Sequence, residues 1–160
     1  MENVWPEKIE YAINTPTKAV IFGTVIQVDF RLIPLLKGLR IGQIHSELVE
    51  CDELTLNPED HGSLRNTYTT TRTIVSDDYD LPEDASLEVI DDAAEGYQLS
   101  RNLNLPKSLT KCLQDTDTRG IRVRHKLKFR IQLHNPDGHV SEVSRTCAQA
   151  GAGVCGEQEN

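Results

Sequence analysis

The stretch from Ile121 to Leu133, Ile-Arg-Val-Arg-His-Lys-Leu-Lys-Phe-Arg-Ile-Gln-Leu, alternates between two classes of side chain. The odd-numbered positions are apolar apart from His125, and the even-numbered positions are cationic apart from Gln132. Successive side chains of a β-strand point to opposite faces of its sheet, whereas a helix would scatter both classes around its circumference. The pattern therefore predicts a long strand with one buried face and one cationic face.

Several other segments alternate with the same period and predict further strands. They are Lys8–Ile13, Ala19–Phe22, Val25–Ile33, Leu39–Glu50 with a bulge near Gly42, Thr67–Val75 and Gln98–Leu103. Asn135-Pro-Asp-Gly138 is a turn signal, so the strand that begins at Val140 predicts a hairpin with the basic strand. One segment, Lys107–Gln114, favours a helix because Pro106 precedes it and Leu109 and Leu113 are four residues apart. We therefore expect an all-β, immunoglobulin-like sandwich with one short helix near residues 107–114.

Two segments show no strand pattern. Ser76–Glu95 contains nine acidic residues and no Lys or Arg, which is typical of a solvated loop. Residues 144–160 are small, polar and rich in Gly and Ala, so we expect a disordered tail there. The predicted folded domain is therefore 5–143.

Composition limits the classes of protein that fit. The chain has 160 residues, the length of about one domain, and a net charge of −8, which argues against a nucleic-acid-binding protein. Its four cysteines, at 51, 112, 147 and 155, form no Cys-x-x-Cys pair, so we expect a reducing compartment and no disulfide framework. No apolar stretch approaches the ~20 residues of a membrane span, and the first residues do not resemble a signal peptide. These features predict a cytoplasmic protein.

Longer motifs carry a resemblance to a known family. Ile121–Phe129 followed by Leu133-His-Asn-Pro-Asp-Gly138-His-Val-Ser-Glu142 resembles the C-terminal domain of arrestin-like proteins. The upstream segments Pro6–Ile13, Val28–Leu39 and Ile41–Glu50 are similar to the same domain. More narrowly, they look like fungal arrestin-related trafficking adaptors of the kind that interact with HECT-type ubiquitin ligases. The resemblance covers about residues 5–143.

The resemblance implies a non-enzymatic adaptor built from two arrestin sandwiches. Such adaptors link a HECT-type ubiquitin ligase to membrane transporters, which are then ubiquitylated and endocytosed, here in carbon catabolite repression. The expected partners are the ligase and the acidic cytosolic tails of transporters, with recruitment to the plasma membrane or endosomes. Two alternatives stay open: an arrestin-like scaffold of ambient-pH signalling, and an inactive truncated remnant.

The chain also departs from the family pattern. It begins where the second sandwich should begin, and the family sequence should continue as strand after Val143. Neither Leu81-Pro82 nor Leu105-Pro106 is followed by x-Tyr, so we find no ligand for the WW domains of the ligase. We therefore expect a fragment whose ligase would be bound through motifs that this chain does not contain.

The cationic face of the basic strand is the candidate partner-binding site. Alternate residues of a strand share one side, so its charges form a ridge roughly 27 Å long at ~3.3 Å per residue. Such a ridge attracts an acidic peptide or an anionic membrane surface, more weakly as salt rises. The competing interpretation is a solvated outer face, or one neutralised by the acidic segment Asp77–Glu95. We call this set the cationic row, and its members are Arg122, Arg124, Lys126, Lys128 and Arg130.

Other candidate chemistry is weak. His125 occupies the apolar face, where a core histidine with one hydrogen bond is the favoured interpretation and a ligand or pH switch the alternative. His134 and His139 flank the turn with Asp137, but they lack the further ligands that zinc requires. Counted from Asp78, the acidic segment does not fit a calcium-binding loop. We find no hydrolase, P-loop or metalloprotease motif, so the sequence predicts no catalytic, cofactor-binding or metal site.

Overall fold

In a computed structural model, which describes residues 2–15, 23–56, 66–82, 85–91, 94–149 and 157–159, the chain forms two antiparallel sheets. Helices are absent from these residues, so none of them forms an apolar helix of membrane-spanning length. The described strands are β1 Glu2–Trp5, β2 Ile9–Asn14, β3 Val25–Pro34, β4 Arg40–Leu56, β5 Asn66–Asp80, β6 Glu88–Asp91, β7 Ala94–Asn104, β8 Thr116–Thr118, β9 Ile121–His134, β10 Val140–Gln149 and β11 Glu157–Glu159.

The two sheets have different strand orders. The first is β1-β2-β3-β7-β6, and the second is β11-β10-β9-β4-β5 with the short β8 paired to one end of β9. Strand β9 lies inside the second sheet, with β4 on one side and β10 on the other. Its backbone is therefore fixed by two neighbours along nearly its whole length.

The inner faces of the two sheets form one hydrophobic core. From the first sheet come Ile26, Val28, Phe30 and Leu32 of β3, which alternate with more exposed residues. From the second come the odd-numbered residues of β9 from Val123 to Leu133, as their alternation predicts, whereas Ile121 at the start of the strand is exposed. Phe30 and Phe129 meet across the core with ring centroids 5.7 Å apart and planes at 86°. The expected all-β sandwich is thus confirmed.

The strand that decides the fold lies where the sequence predicts it, since β9 runs from Ile121 to His134. The predicted bulge near Gly42 is also present, because the β4–β9 register shifts between Ile41 and Ile44. A Cβ atom on Gly42 would lie 2.5 Å from His134 Nε2, so this approach favours glycine. The predicted hairpin turn closes through Gly138, whose φ of 87° lies in the left-handed region.

The short helix predicted near 107–114 is wrong. Residues 107–114 form a single turn, in which the Lys111 and Cys112 N–H groups both donate to the Ser108 carbonyl, at 3.0 and 3.1 Å. The next N–H group, of Leu113, donates instead to Glu50 Oε2 on β4 at 2.7 Å. A helix would need that donor for its own ladder, so the tertiary contact ends the turn.

The acidic segment Ser76–Glu95 is not one solvated loop. Residues 76–80 complete β5, residues 88–91 form β6, and β7 begins at Ala94, while 83–84 and 92–93 lie outside the described residues. Asp77 accepts two hydrogen bonds from Arg101 of β7, at 2.8 and 3.0 Å. Asp78 Oδ1 lies 2.6 Å from His45 Nδ1 on β4. These partners compensate the negative charge of Asp77 and Asp78. That charge was the reason for predicting a solvated loop.

The predicted domain boundary at Val143 falls too early. Strand β10 continues to Gln149 and pairs with β9 as far as His125, so residues 144–149 are not disordered. Small and polar residues carry little strand signal alone, but the unpaired edge of β9 supplies hydrogen-bond partners for them. Residues 157–159 pair with β10 as β11, and residues 150–156 and 160 of the predicted tail lie outside the described residues. The predicted strand Ala19–Phe22 also lies outside them.

Candidate functional site

The cationic row lies on the outer face of the second sheet. Its five side chains alternate with the buried residues of β9, and Arg122, Arg124, Lys126 and Arg130 are exposed while Lys128 is half-buried. The structure therefore brings the predicted partner-binding residues into one line on a strand inside the second sheet.

Three members of the cationic row have carboxylate partners on neighbouring strands. Asp117 of β8 lies 3.1 Å from Arg122 and 3.3 Å from Arg124. Glu53 and Glu47 of β4 lie 3.5 Å from Arg122 and 3.7 Å from Lys128, respectively. Compensation therefore comes from β4 and β8, whereas Asp77 and Asp78 of the acidic segment pair elsewhere.

The other two members, Lys126 and Arg130, have no carboxylate partner among the described residues. On β4 they face Val49 and His45, and on β10 they face Ala148 and Ser144, none of which is acidic. The half of the row toward Arg130 is thus less compensated than the half toward Arg122.

A second group of polar side chains lies on the inner face, where the sequence predicts core. Glu50 of β4 and His125 of β9 are directly opposite in register, and both are fully buried. His125 Nε2 lies 3.3 Å from Glu50 Oε2, and its Nδ1 lies 2.6 Å from Asp115 Oδ1. Cys112 is also fully buried, with its Sγ 3.7 Å from His125 Nε2. We call Glu50, Cys112 and His125 the inner cluster.

The segment between β7 and β8 contains Cys112 of the inner cluster. Leu105 and Cys112 are buried in the core, which holds this segment against the sandwich. The Leu113 N–H and the Arg72 side chain both donate to Glu50, the latter from Nε to Oε1 at 2.6 Å. Arg72 also donates to the Thr110 carbonyl at 3.3 Å and so joins β5 to the same segment.

The charge on Glu50 is stabilised inside the protein. Burial raises the pKa of Glu50, but hydrogen bonds from Arg72 and the Leu113 N–H outweigh burial and hold it below its ordinary value. For Cys112, burial and the nearby Glu50 carboxylate raise the pKa of the thiol. The cluster therefore combines an ionised carboxylate with a protonated thiol, which does not favour a reactive cysteine.

Sequence reasoning placed His125 correctly in the core but missed its partners. His125 has Asp115, Glu50 and Cys112 around its two ring nitrogens, more than the single hydrogen bond expected. One signal was available: Glu50 continues the inward-facing series of Ile44, Ser46 and Leu48 on a predicted strand. Cys112 carried no comparable signal, because its segment has no strand period.

The sandwich and its central basic strand define an arrestin-type domain. The model of the family "Arrestin (or S-antigen), C-terminal domain" matches residues 5–148, so the chain belongs to this family. The chain is 70% identical over 146 residues to the "Probable HECT-type ubiquitin ligase-interacting protein creD" of Aspergillus clavatus. It is equally similar to the "HECT-type ubiquitin ligase-interacting protein creD" of Emericella nidulans. Each match covers 91% of this chain but 24% of the relative, so the chain spans about a quarter of their length.

Similarity to solved structures is more distant. The sporulation control protein Spo0M of Bacillus subtilis matches with a TM-score of 0.44 and 13% identity, over 88% of this chain and 49% of that protein.

Proposed function

We propose that this chain is a protein-interaction module, the C-terminal half of an arrestin-type adaptor that links a HECT-type ubiquitin ligase to membrane transporters. The observation that carries the proposal is the 70% identity to proteins named for their interaction with such a ligase. In this function the domain performs no chemistry of its own. It acts at the cytoplasmic side of membranes by holding a transporter where the ligase can modify it.

The cationic row is the proposed docking surface for the acidic cytosolic tail of a transporter. Lys126 and Arg130 have no acidic partner among the described residues, so a ligand carboxylate meets no internal competitor there. The pairs of Arg122 and Arg124 with Asp117 are largely exposed, and exposed pairs contribute about 0–1 kcal/mol. A ligand with several carboxylates can therefore replace them at small cost.

The test is charge reversal at the two uncompensated positions. Lys126→Glu with Arg130→Glu should weaken binding of an acidic transporter-tail peptide at least 10-fold, measured by fluorescence anisotropy. The matched control is Lys37→Glu with Lys111→Glu, which changes net charge equally at exposed sites off the second sheet and should leave affinity within 2-fold. Equal affinity of both double variants would discard the cationic row as the docking surface.

Two further measurements, at different salt concentrations and with lipid vesicles, distinguish the kinds of partner. Affinity for the peptide should fall as NaCl rises, because exposed charges are screened. Vesicles containing phosphatidylserine form the second arm, and binding to them but not to the peptide would favour a membrane surface. Binding to receptor tails of ambient-pH signalling in place of transporter tails would favour the related scaffold.

The ligase arm is proposed to lie outside these 160 residues. The isolated chain should therefore bind the tail peptide but not the WW domains of a HECT-type ligase in the same assay. Tight binding of WW domains to this chain would show that the ligase contacts the domain directly. A chain that aggregates and binds neither partner would instead fit an inactive remnant.

A further inference from the structure

The inner cluster has the composition and spacing of a transition-metal site. Its three ligand atoms, Glu50 Oε2, Cys112 Sγ and His125 Nε2, all lie within 4.8 Å of one another. Carboxylate oxygen, thiolate sulfur and imidazole nitrogen are the ligands that zinc takes in proteins. The three come from β4, the β7–β8 segment and β9, so they are brought together only by folding.

Two of the three ligand separations agree with tetrahedral coordination. Metal–ligand lengths of about 2.3 Å for sulfur and about 2.0–2.1 Å for nitrogen and oxygen place S and N roughly 3.5 Å apart, and N and O roughly 3.3 Å apart. The observed values are 3.7 Å for Cys112 Sγ to His125 Nε2 and 3.3 Å for His125 Nε2 to Glu50 Oε2. These two separations are therefore close to what a bound ion requires, and the remaining pair, a Glu50 oxygen and Cys112 Sγ, lies within 4.8 Å.

The groups around the three ligands also suit a metal. Asp115 lies 2.6 Å from His125 Nδ1, the carboxylate–histidine pairing that orients a metal-binding imidazole. The Leu113 N–H fixes Glu50 Oε2 at 2.7 Å. Within the second sheet, the Arg72 side chain donates to the other oxygen of Glu50, Oε1, while Oε2 lies beside His125.

A further buried carboxylate oxygen lies on the same face of β4 as Glu50. Asp52 Oδ1 is buried, and it has no hydrogen-bond partner in the described part of the chain. Asp52 lies two residues beyond Glu50 on β4 and faces Val123, so both side chains project to the inner face. A buried carboxylate oxygen favours a hydrogen-bond donor beside it, so Asp52 is compatible with a bound water on this face.

We propose that Glu50, Cys112 and His125 bind a divalent metal ion of the zinc type, with water at the fourth position. On binding, the Cys112 S–H bond breaks, an S–metal bond forms and the proton passes to solvent. His125 coordinates through Nε2 and keeps its Nδ1–H for Asp115. The ion fastens the β7–β8 segment to β4 and β9. This inference does not depend on the proposed adaptor function.

Cobalt(II) is the probe, because a cobalt–thiolate bond gives a charge-transfer band in the near ultraviolet. The full chain, purified with chelator, should bind one equivalent of Co²⁺ with this band, and Zn²⁺ should displace it and raise Tm. Cys112→Ser should abolish the band. Cys51→Ser and Cys147→Ser, which remove cysteines outside the cluster, should retain it.

Asp115→Asn provides a second variant that keeps all three ligands. It should retain the band but weaken metal affinity about 10–100-fold, the usual effect of losing a partner that orients a ligand. Circular dichroism identifies any variant that fails to fold. A folded wild-type chain without the band at stoichiometric Co²⁺, or a band that survives Cys112→Ser, overturns the proposal and leaves the inner cluster as an ion-pair network.

Discussion

The ring of Phe30 on β3 meets the ring of Phe129 on β9 edge to face, with centroids 5.7 Å apart, and both side chains are at most 1% exposed. This pair joins the two sheets at the centre of the core. Its geometry is the one that aromatic quadrupoles favour.

Phe129→Ala should lower the free energy of unfolding by about 3–5 kcal/mol, because it removes a large side chain and leaves a cavity. Urea denaturation measures the change. Tyr68→Ala, at an aromatic residue that is 57% exposed, should change stability by no more than about 0.5 kcal/mol. Similar losses in both variants would contradict the central position of the pair.

Arg72→Met should destabilise the domain by about 1.5–3 kcal/mol, because a hydrogen bond to a buried charge is lost and Glu50 stays in the core. The control is Arg122→Met, whose pairs with Glu53 and Asp117 are exposed and should contribute less than about 1 kcal/mol. Thermal unfolding in chelator gives both values. A loss for Arg122→Met as large as that for Arg72→Met would contradict the buried role of Glu50.

Asp52→Asn should stabilise the metal-free domain at neutral pH. Burial, and then the charge of Glu50, raise the pKa of Asp52 above its ordinary value of 3.8. A carboxyl with a raised folded-state pKa binds its proton more tightly in the folded state. Its contribution to the free energy of unfolding therefore falls as pH rises above 3.8. Asn does not ionise, so the substitution should remove this loss of stability at neutral pH.

Urea midpoints at pH 4 and pH 7 in chelator measure this effect, and the gain from Asp52→Asn should be larger at pH 7. Asp137 is the control, because the hydrogen bond from the His139 N–H lowers its pKa and gives a pH dependence of opposite sign. A gain for Asp52→Asn that does not change with pH would show that its charge is not the cause.

Gly96→Ala should destabilise the first sheet by about 1–3 kcal/mol, the usual cost of overpacking. A Cβ atom there would lie 2.5 Å from the Leu32 carbonyl oxygen, which is backbone and cannot rotate away. At Gly42 the same clash falls on the His134 ring, which can move, so Gly42→Ala should cost less. Equal costs in denaturation experiments would contradict this reasoning.

The sequence predicted the fold where local pattern and tertiary structure agree. The alternation of residues 121–133 predicts both the strand and its buried face, and β9 confirms the strand and, from Val123 onward, the buried face. The sequence also predicts the turn before Val140 and the bulge in β4, because each depends on a glycine at that place in the chain. The sandwich could be inferred because most strands carry such a pattern.

Local pattern was insufficient where a distant residue decides the conformation. The helix near 107–114 does not form because Glu50, far away in sequence, binds the Leu113 N–H. The acids at 77 and 78 enter a strand because Arg101 and His45 lie beside them. The inner cluster was missed for the same reason, since no sequence spacing relates Glu50 to Cys112.

Because β9 has a hydrogen-bonded neighbour on each side, its amides should be among the slowest in the chain to exchange with deuterium. We therefore expect the backbone that carries the cationic row to open only when the domain itself unfolds. Local opening of β9 should therefore not change whether the cationic row is exposed. Control of the proposed binding has to act on the charges of the cationic row, as lysine acetylation would at position 126, or on what covers it.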